Sequence, residues 1–194
     1  MTTAPTAAHA KVPAVTAGFW LIKILATTLG ETAGDAVSMS LDLGYLLGTA
    51  LFAAAFLLMG VWQILGARFR PGVYWGAILA STTVGTTLAD FCTRSLGIGY
   101  AGGALLLGGL LLATLWIWQR ALGSVAVASV ATPRAEVFYW LTLTVSQTLG
   151  TALGDWTADT AGLGYLGAAA IFGGLLGLLL VLYLATQASR AALF

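Results

Sequence analysis

A nine-residue segment occurs three times in this chain, and its recurrence constrains the fold more than any other feature. The copies are residues 27–35, 82–90 and 147–155, which align without gaps. An aromatic-Trp pair precedes each copy at one constant offset, and a Gly-Tyr pair follows each copy at another. Sequence that recurs in register with its flanking residues indicates a duplicated structural unit.

The repeated unit is too apolar for a soluble fold. Hydrophobic residues make up 59% of the 194 residues and charged residues only 8%, whereas soluble domains carry about 25% charged residues. A membrane helix needs roughly 20 mostly apolar residues, so the chain has room for six. We predict an all-α polytopic membrane protein, with six transmembrane helices arranged as three parallel repeated helical hairpins. The predicted helices span residues 14–38, 43–66, 73–93, 99–119, 136–158 and 164–187.

This pattern also predicts how the chain is organised. The three repeats, of two transmembrane helices each, are expected at residues 14–66, 73–119 and 136–188. A disordered cytoplasmic tail, residues 1–13, precedes them, and a cytoplasmic linker, residues 120–135, lies before the third. Residues 189–194 resemble the start of a fourth repeat. Either the chain is a fragment or this resemblance is accidental, and we favour a fragment.

The basic residues indicate the orientation. All those in the predicted loops and tails except Arg94 fall on one side of the six helices. The positive-inside rule places this side, with both termini, in the cytoplasm. The residues concerned are Lys11, Arg68, Arg70, Arg120, Arg134 and Arg190.

With these motifs the chain resembles a family of bacterial integral membrane proteins that carry a tandem repeat of unknown function. The resemblance rests on residues 27–35, 82–90 and 148–155 with their Gly-Tyr pairs, and it covers nearly all of the chain from Val12 on. It implies a multi-pass protein of the bacterial inner membrane. Family members usually have four repeats, so this chain departs by lacking the fourth. The resemblance also links some relatives to manganese export.

Four acidic residues lie inside the predicted membrane helices, and they are Glu31, Asp35, Asp90 and Asp155. A charge near the bilayer centre costs about 2.5 kcal/mol or more, and such residues usually face the bundle interior or a water-filled cavity. One interpretation is that these carboxylates are merely protonated or capped. We favour a cation or proton site, because four acids exceed what helix packing requires.

Three threonines, Thr28, Thr83 and Thr148, lie seven residues before the motif aspartates, on the same helical face. Their hydroxyls either coordinate a cation or, with the neighbouring glycines, only pack helices together. Lys23, the one basic residue within a predicted span, has two interpretations. It either extends to the cytoplasmic interface or serves as a counter-ion for Glu31. We expect Arg94 in its outer connection to be solvated.

The residues favour a membrane transporter of a small hard cation, and the family resemblance implies that it is an exporter. Carboxylate and hydroxyl oxygens suit Mg²⁺, Ca²⁺ and Mn²⁺, and the family resemblance makes manganese the first choice. The metal ligands would be Glu31, Asp35, Asp90 and Asp155. Carboxylates that converge repel one another and retain protons, so metal binding would release protons. The alternative is a non-transporting membrane scaffold or assembly factor.

Other functional classes have little support in the sequence. It contains no Gly-x-Ser-x-Gly nucleophile motif, no phosphate loop and no histidine in the predicted spans, so we expect no enzyme. The net charge of +1 gives no reason to expect a nucleic-acid partner. The expected partners are the lipid bilayer and a small cation or proton. The sequence leaves open whether the protein forms a homo-oligomer. We expect no cofactor beyond a transported divalent metal ion.

Overall fold

The computed structural model describes residues 11–13, 16–66 and 68–185. This part of the chain consists of α-helices joined by short turns, with no β-strand. A short 3₁₀ helix, Val127–Ser129, lies before the fifth α-helix. The six α-helices are α1 Ala17–Asp35, α2 Gly44–Leu65, α3 Pro71–Asp90, α4 Gly99–Leu122, α5 Pro133–Asp155 and α6 Gly164–Ala185.

The residues at which α1, α3 and α5 begin follow from local sequence. Thr16 and Thr132 cap α1 and α5, because their side chains accept hydrogen bonds from backbone N–H groups of the first turn. Pro71 and Pro133 begin α3 and α5, where a missing N–H costs nothing. All six predicted helices are confirmed, with ends that differ by a few residues. Much of the predicted linker 120–135 belongs to α4, the 3₁₀ helix and α5.

The Gly-Tyr pairs mark the starts of the second helix of each repeat. Their glycines, Gly44, Gly99 and Gly164, have φ angles of +73°, +67° and +64°. Residues with a Cβ avoid this left-handed region, so glycine is needed for the chain to turn there. The repeat seen in the sequence is therefore also a repeat of backbone conformation.

The first helices of the three repeats lie side by side and run parallel. A Cβ added to Gly30 of α1 would lie 2.8 Å from the Cβ of Thr82 on α3, and one added to Gly34 would lie 3.2 Å from that of Thr86. Both partners advance by four residues in the same direction, so α1 and α3 are parallel. The small residues let the backbones approach closely.

A line of polar contacts joins α3 to α5 in the same parallel sense. Ser81 donates to the side-chain carbonyl of Gln147 at 2.9 Å, and the Gln147 amide donates to Thr82 at 2.6 Å. Near the start of both helices, the hydroxyls of Tyr74 and Tyr139 lie 2.6 Å apart. Thr82 and Gln147 are equivalent in the repeat, as are the two tyrosines, so α3 and α5 meet through corresponding positions.

The second helix of a repeat packs chiefly against the first helix of the next one. The helix α2 lies along α3, and α4 lies along α5. Thr49 of α2 donates to Thr87 of α3 at 2.7 Å, while Met59 lies against Gly76. These pairs run in opposite directions, so α2 and α3 are antiparallel. Neighbouring repeats are thus interleaved. The second helix of one repeat packs on the first helix of the next, although a short turn connects it to the first helix of its own repeat.

Three described helices are long and apolar enough to cross a membrane, namely α2, α4 and α6 over Gly44–Leu65, Gly99–Leu122 and Gly164–Leu182. The sequence predicted six spans. The three helices that carry the motif are less apolar, because they contain its threonines and acids. Leu58, Leu105 and Leu166 expose 74%, 78% and 89% of their surface. Leucines exposed to this degree along long helices indicate a membrane protein.

Two predicted segments lie mostly outside the described residues. Of the predicted tail 1–13, the structure describes 11–13. There Lys11 is held in place, since its Nζ donates to the Ile64 carbonyl at 2.9 Å. The proposed beginning of a fourth repeat at 189–194 lies wholly outside the described part of the chain.

We expect Tyr139→Phe to destabilise the protein by about 1–3 kcal/mol, because it leaves the hydroxyl of buried Tyr74 without its partner. The double variant Tyr74→Phe with Tyr139→Phe should recover most of this loss, since no orphaned hydroxyl remains. Unfolding in detergent micelles, followed by circular dichroism, would measure both. A double variant less stable than either single variant would contradict this account.

Candidate functional site

The motif aspartates occupy the same structural position in all three repeats. Asp35, Asp90 and Asp155 are the last α-helical residues of α1, α3 and α5. A five-residue π-helical turn follows each of them, and these turns are Ala36–Ser40, Phe91–Ser95 and Trp156–Thr160. Such widened turns occur frequently at functional sites. The repeat therefore places three carboxylates at the same end of three parallel helices.

Two of these carboxylates share one guanidinium group. The Nε atom of Arg94 lies 3.0 Å from Oδ1 of Asp90, and its Nη2 atom donates to Oδ2 of Asp155 at 3.2 Å. The Asp90 side chain is 2% exposed, that of Asp155 is 15% exposed, and that of Arg94 is 32% exposed. Arg94 therefore connects the second and third repeats, whereas its position in the sequence predicted a solvated side chain.

The spacing of Arg94 could have revealed its role. It follows Asp90 by four residues, and side chains at that spacing are neighbours on a helix. The π-helical turn continues α3 across this interval, so the two side chains still meet. The contact with Asp155 joins residues 61 apart and had no local signal.

A tyrosine and a further carboxylate border this ion pair. The guanidinium of Arg94 lies 5.8 Å from the ring centre of Tyr100, within the range of cation–π attraction. The Tyr100 hydroxyl donates to Oδ2 of Asp159 at 2.8 Å. Tyr100 is the tyrosine of the second Gly-Tyr pair, so the repeated pair contributes to the site as well as to the turn.

The acidic residues of the first repeat lie close to this ion pair without joining it. Glu31 interacts electrostatically with Asp35 and Asp155, and Asp35 with Arg94. Within the described part of the chain, neither Glu31 nor Asp35 forms an ion pair. No three of the described acidic, cysteine or histidine side chains are grouped closely enough to hold a metal ion. The structure thus brings the four predicted acids to one region, but not into a metal cage.

The predicted threonine ligands do not reach the carboxylates. Thr83 and Thr148 are buried, and their hydroxyls donate to backbone carbonyls one turn earlier on their own helices, at 3.0 Å and 2.8 Å. Thr28 is exposed. These hydrogen bonds support the packing interpretation for Thr83 and Thr148, whose side chains are buried where α1, α3 and α5 pack together.

Lys23 does not pair with Glu31 in this structure. Its Nζ atom is buried and has no hydrogen-bond partner among the described residues. A buried ammonium group without a partner is costly. The counter-ion role was one of two interpretations of Lys23. In the described structure Arg94 pairs with Asp90 and Asp155, and no ion pair joins Lys23 to Glu31.

A second ion pair lies at the opposite end of the parallel helices. Nζ of Lys11 lies 2.9 Å from Oε1 of Glu136, whose side chain is 2% exposed. Gln63 of α2 donates to the Lys11 carbonyl at 3.3 Å. Glu136 was not among the residues predicted to be functional, because it lies in the first turn of α5, where an acidic residue ordinarily only favours the helix start.

Comparison with known families gives one result. A family model described as Repeat of Unknown Function (DUF347) matches residues 18–69, 73–124 and 138–189. These three tandem matches confirm the resemblance drawn from the motifs. No curated protein and no solved structure matches the chain.

Proposed function

The chain belongs to the DUF347 repeat family, whose description assigns no activity. From its acidic residues, together with the resemblance stated above, we propose that it exports a small hard cation across the bacterial inner membrane. Mn²⁺ is the first candidate cargo. The proposal rests on the Arg94 bridge between Asp90 and Asp155, with Glu31 and Asp35 nearby.

The proposed topology has all six helices crossing the membrane. The parallel alignment of α1, α3 and α5 supports it, since each repeat then crosses twice and returns to the same side. The basic residues supply the orientation, with Lys11, Arg68 and Arg134 on the cytoplasmic side. Arg94 is then the exception on the outer side, where it binds the motif aspartates. The less apolar helices α1, α3 and α5 would face one another, and α2, α4 and α6 would contact lipid.

In this proposal Arg94 acts as an internal substitute for the transported cation. Two carboxylates in a mostly apolar setting need a positive charge nearby. The guanidinium provides it when no cation is bound, and its 32% exposure leaves it room to move aside. An arriving divalent cation would displace Arg94 and bind Asp90 and Asp155. Glu31 and Asp35 would supply further oxygens after a small movement of α1.

The available ligands determine the class of cation. Carboxylate oxygens suit Mg²⁺, Ca²⁺ and Mn²⁺, whereas zinc and copper sites rely more on imidazole or thiolate. Acidic groups held close together bind protons in competition with a metal ion. Cation binding would therefore release protons and couple metal movement to a proton gradient.

We expect Asp90→Asn and Asp155→Asn each to reduce Mn²⁺ flux at least tenfold. The measurement uses purified protein in proteoliposomes, an internal dye quenched by Mn²⁺ and a second dye that reports pH. Asn preserves shape and removes charge, so the loss would reflect the carboxylate. Asp42→Asn is the matched control, because Asp42 is exposed in a turn and should leave flux unchanged.

Equilibrium binding separates transport from a scaffold role. Arg94→Gln removes the internal cation, so we expect Mn²⁺ to bind the detergent-solubilised variant more tightly than the wild-type protein. The wild-type protein should bind Mn²⁺ more tightly than Asp90→Asn does. If no divalent cation or proton moves, and the acid variants match the Asp42→Asn control, the ion-site proposal is wrong. The membrane scaffold or assembly factor would then take its place.

A further inference from the structure

A buried cation-binding arrangement lies at the end of the bundle opposite the motif aspartates, and a side chain of the protein itself occupies it. Nζ of Lys11 lies 2.9 Å from the backbone carbonyl oxygen of Ile64 and 2.9 Å from Oε1 of Glu136. The Ile64 carbonyl belongs to the last turn of α2, where carbonyl groups lack helical partners and favour a positive charge. Two oxygens from different helices thus converge on one ammonium nitrogen.

The burial of Glu136 is not explained by its position at a helix start. An acid that favours a helix start does so at the surface, whereas Glu136 is almost completely buried. Neither of its carboxylate oxygens has a well-aligned hydrogen-bond donor in the described structure. The other acidic residues of the chain all lie near the opposite end of the parallel helices or in the turns that follow, and they are Glu31, Asp35, Asp42, Asp90, Asp155 and Asp159. Glu136 is therefore a separate acidic site.

Lys11 belongs to a segment before α1, residues 11–13, that is otherwise held by weak contacts. Its backbone N–H donates to the Val130 carbonyl at 3.4 Å, and its carbonyl accepts from the Gln63 amide at 3.3 Å. Both hydrogen bonds are longer than the usual range. Val12 is only partly buried against the core. The segment can therefore leave the end of the bundle without disturbing a helix, once the ion pair is broken.

The two ends of the parallel helices share one arrangement. At one end Arg94 covers the buried carboxylates of Asp90 and Asp155, and at the other end Lys11 covers that of Glu136. Glu136 precedes Asp155 by 19 residues on α5, which corresponds to about 28 Å along a helix. This length is close to the roughly 30 Å thickness of a bilayer core. Each face of the proposed membrane span thus has a buried acid that a movable basic side chain neutralises.

We propose that Glu136 and the Ile64 carbonyl form the cytoplasmic entry site for the exported cation, and that Lys11 occupies this site until the cation displaces it. The inference rests on the proposed function, since it assigns the inner end of the same pathway. Carboxylate and carbonyl oxygens are the ligands of hard divalent cations. Few protein ligands bind such a cation weakly, as an entry site requires if the cation is to move on.

Rescue of stability by a metal ion tests the site directly. Lys11→Met removes the ammonium group, so Mn²⁺ from solution should take its place beside Glu136. We expect Mn²⁺ to raise the Tm of this variant by about 4 °C more than it raises that of Lys11→Met with Glu136→Gln. Both variants keep Asp90 and Asp155, so any binding at the outer site contributes equally. Thermal unfolding in detergent micelles measures the shifts, with choline chloride keeping the ionic strength constant.

A second measurement keeps Lys11 in place and does not depend on the stability of Lys11→Met. In a Cys92→Ser background, Mn²⁺ should increase severalfold the rate at which a maleimide labels Val12→Cys, because displacement of Lys11 frees the segment. Adding Glu136→Gln should make the labelling fast with or without Mn²⁺. An ion pair that only stabilises the fold would also give fast labelling in the Glu136→Gln variant. It would give no response to Mn²⁺ while Glu136 is present, and that result overturns the proposal.

Two further outcomes of the unfolding experiment would also overturn it. One is an equal Mn²⁺ shift with and without the Glu136 carboxylate. The other is stabilisation of Lys11→Met by methylammonium but not by Mn²⁺, which would indicate a pocket that accepts only an ammonium group. Neither measurement involves flux. If Mn²⁺ is not transported but the shift depends on Glu136, the proposed function fails and the cation site remains. If flux depends on Asp90 but no effect depends on Glu136, only the entry site is wrong.

Discussion

We expect Lys11→Met to lower the free energy of unfolding by about 3–5 kcal/mol, because it leaves the buried Glu136 carboxylate without its cation. Nζ of Lys11 lies 2.9 Å from Oε1 of Glu136. Neither carboxylate oxygen has a hydrogen-bond donor of good geometry in the described structure, so Lys11 supplies the main compensation. Methionine preserves most of the side-chain length. Unfolding of the purified protein in mixed micelles, followed by far-ultraviolet circular dichroism, measures the change.

Two further variants define the cause of this loss. Arg68→Met removes an exposed cation from the same side of the molecule and should change stability by less than about 0.5 kcal/mol. Adding Glu136→Gln to Lys11→Met removes both charges and should restore part of the lost stability. If Lys11→Met lowers the free energy of unfolding no more than Arg68→Met does, the Lys11–Glu136 ion pair contributes little to stability and does not hold the N-terminal segment in place.

We expect Gly30→Val to cost about 3 kcal/mol, at the upper end of the range for overpacked contacts. A Cβ at position 30 would lie 2.8 Å from Cβ of Thr82 and 2.9 Å from the carbonyl oxygen of Leu79. The second of these is backbone, which yields only if α1 and α3 separate. Separation would break the close contact between the first two repeats, and the same unfolding assay would report it.

The glycine at position 109 provides the comparison. Gly109 also lies within a helix, and a Cβ added there meets no described atom within 4 Å. Gly109→Val should therefore leave stability within about 1 kcal/mol of the wild-type value, since glycine and valine differ little in helix propensity. Equal effects at positions 30 and 109 would show that α1 and α3 are not in close contact.

The repeated features were predictable because each depends on local sequence. Helix ends follow from Thr132, Pro133 and the Gly-Tyr pairs, which act through backbone geometry and capping. The four acidic positions were predictable for a similar reason, since an acid within an apolar helix stands out. Their gathering at one end of the parallel helices follows from the repeat itself.

The ionic partners were not predictable from local pattern. Arg94 and Asp155 are 61 residues apart, and Lys11 and Glu136 are 125 apart. Such pairs depend on which helices become neighbours. The choice of neighbour is decided by the helix face on which each glycine and threonine lies. The packing of α2 on α3 was likewise not evident, because a short connection favours contact within a repeat equally well.

The interleaving of repeats also affects how the chain is made. During synthesis α2 enters the membrane before α3, its main packing partner, has left the ribosome, and α4 likewise precedes α5. Each pair of helices must therefore wait for the next pair before most of its contacts can form. Most of the stability then comes from the interfaces between neighbouring repeats, as in other repeat proteins. An isolated pair would be a poor folding unit, so protein quality control would act on incomplete chains until a following pair arrives.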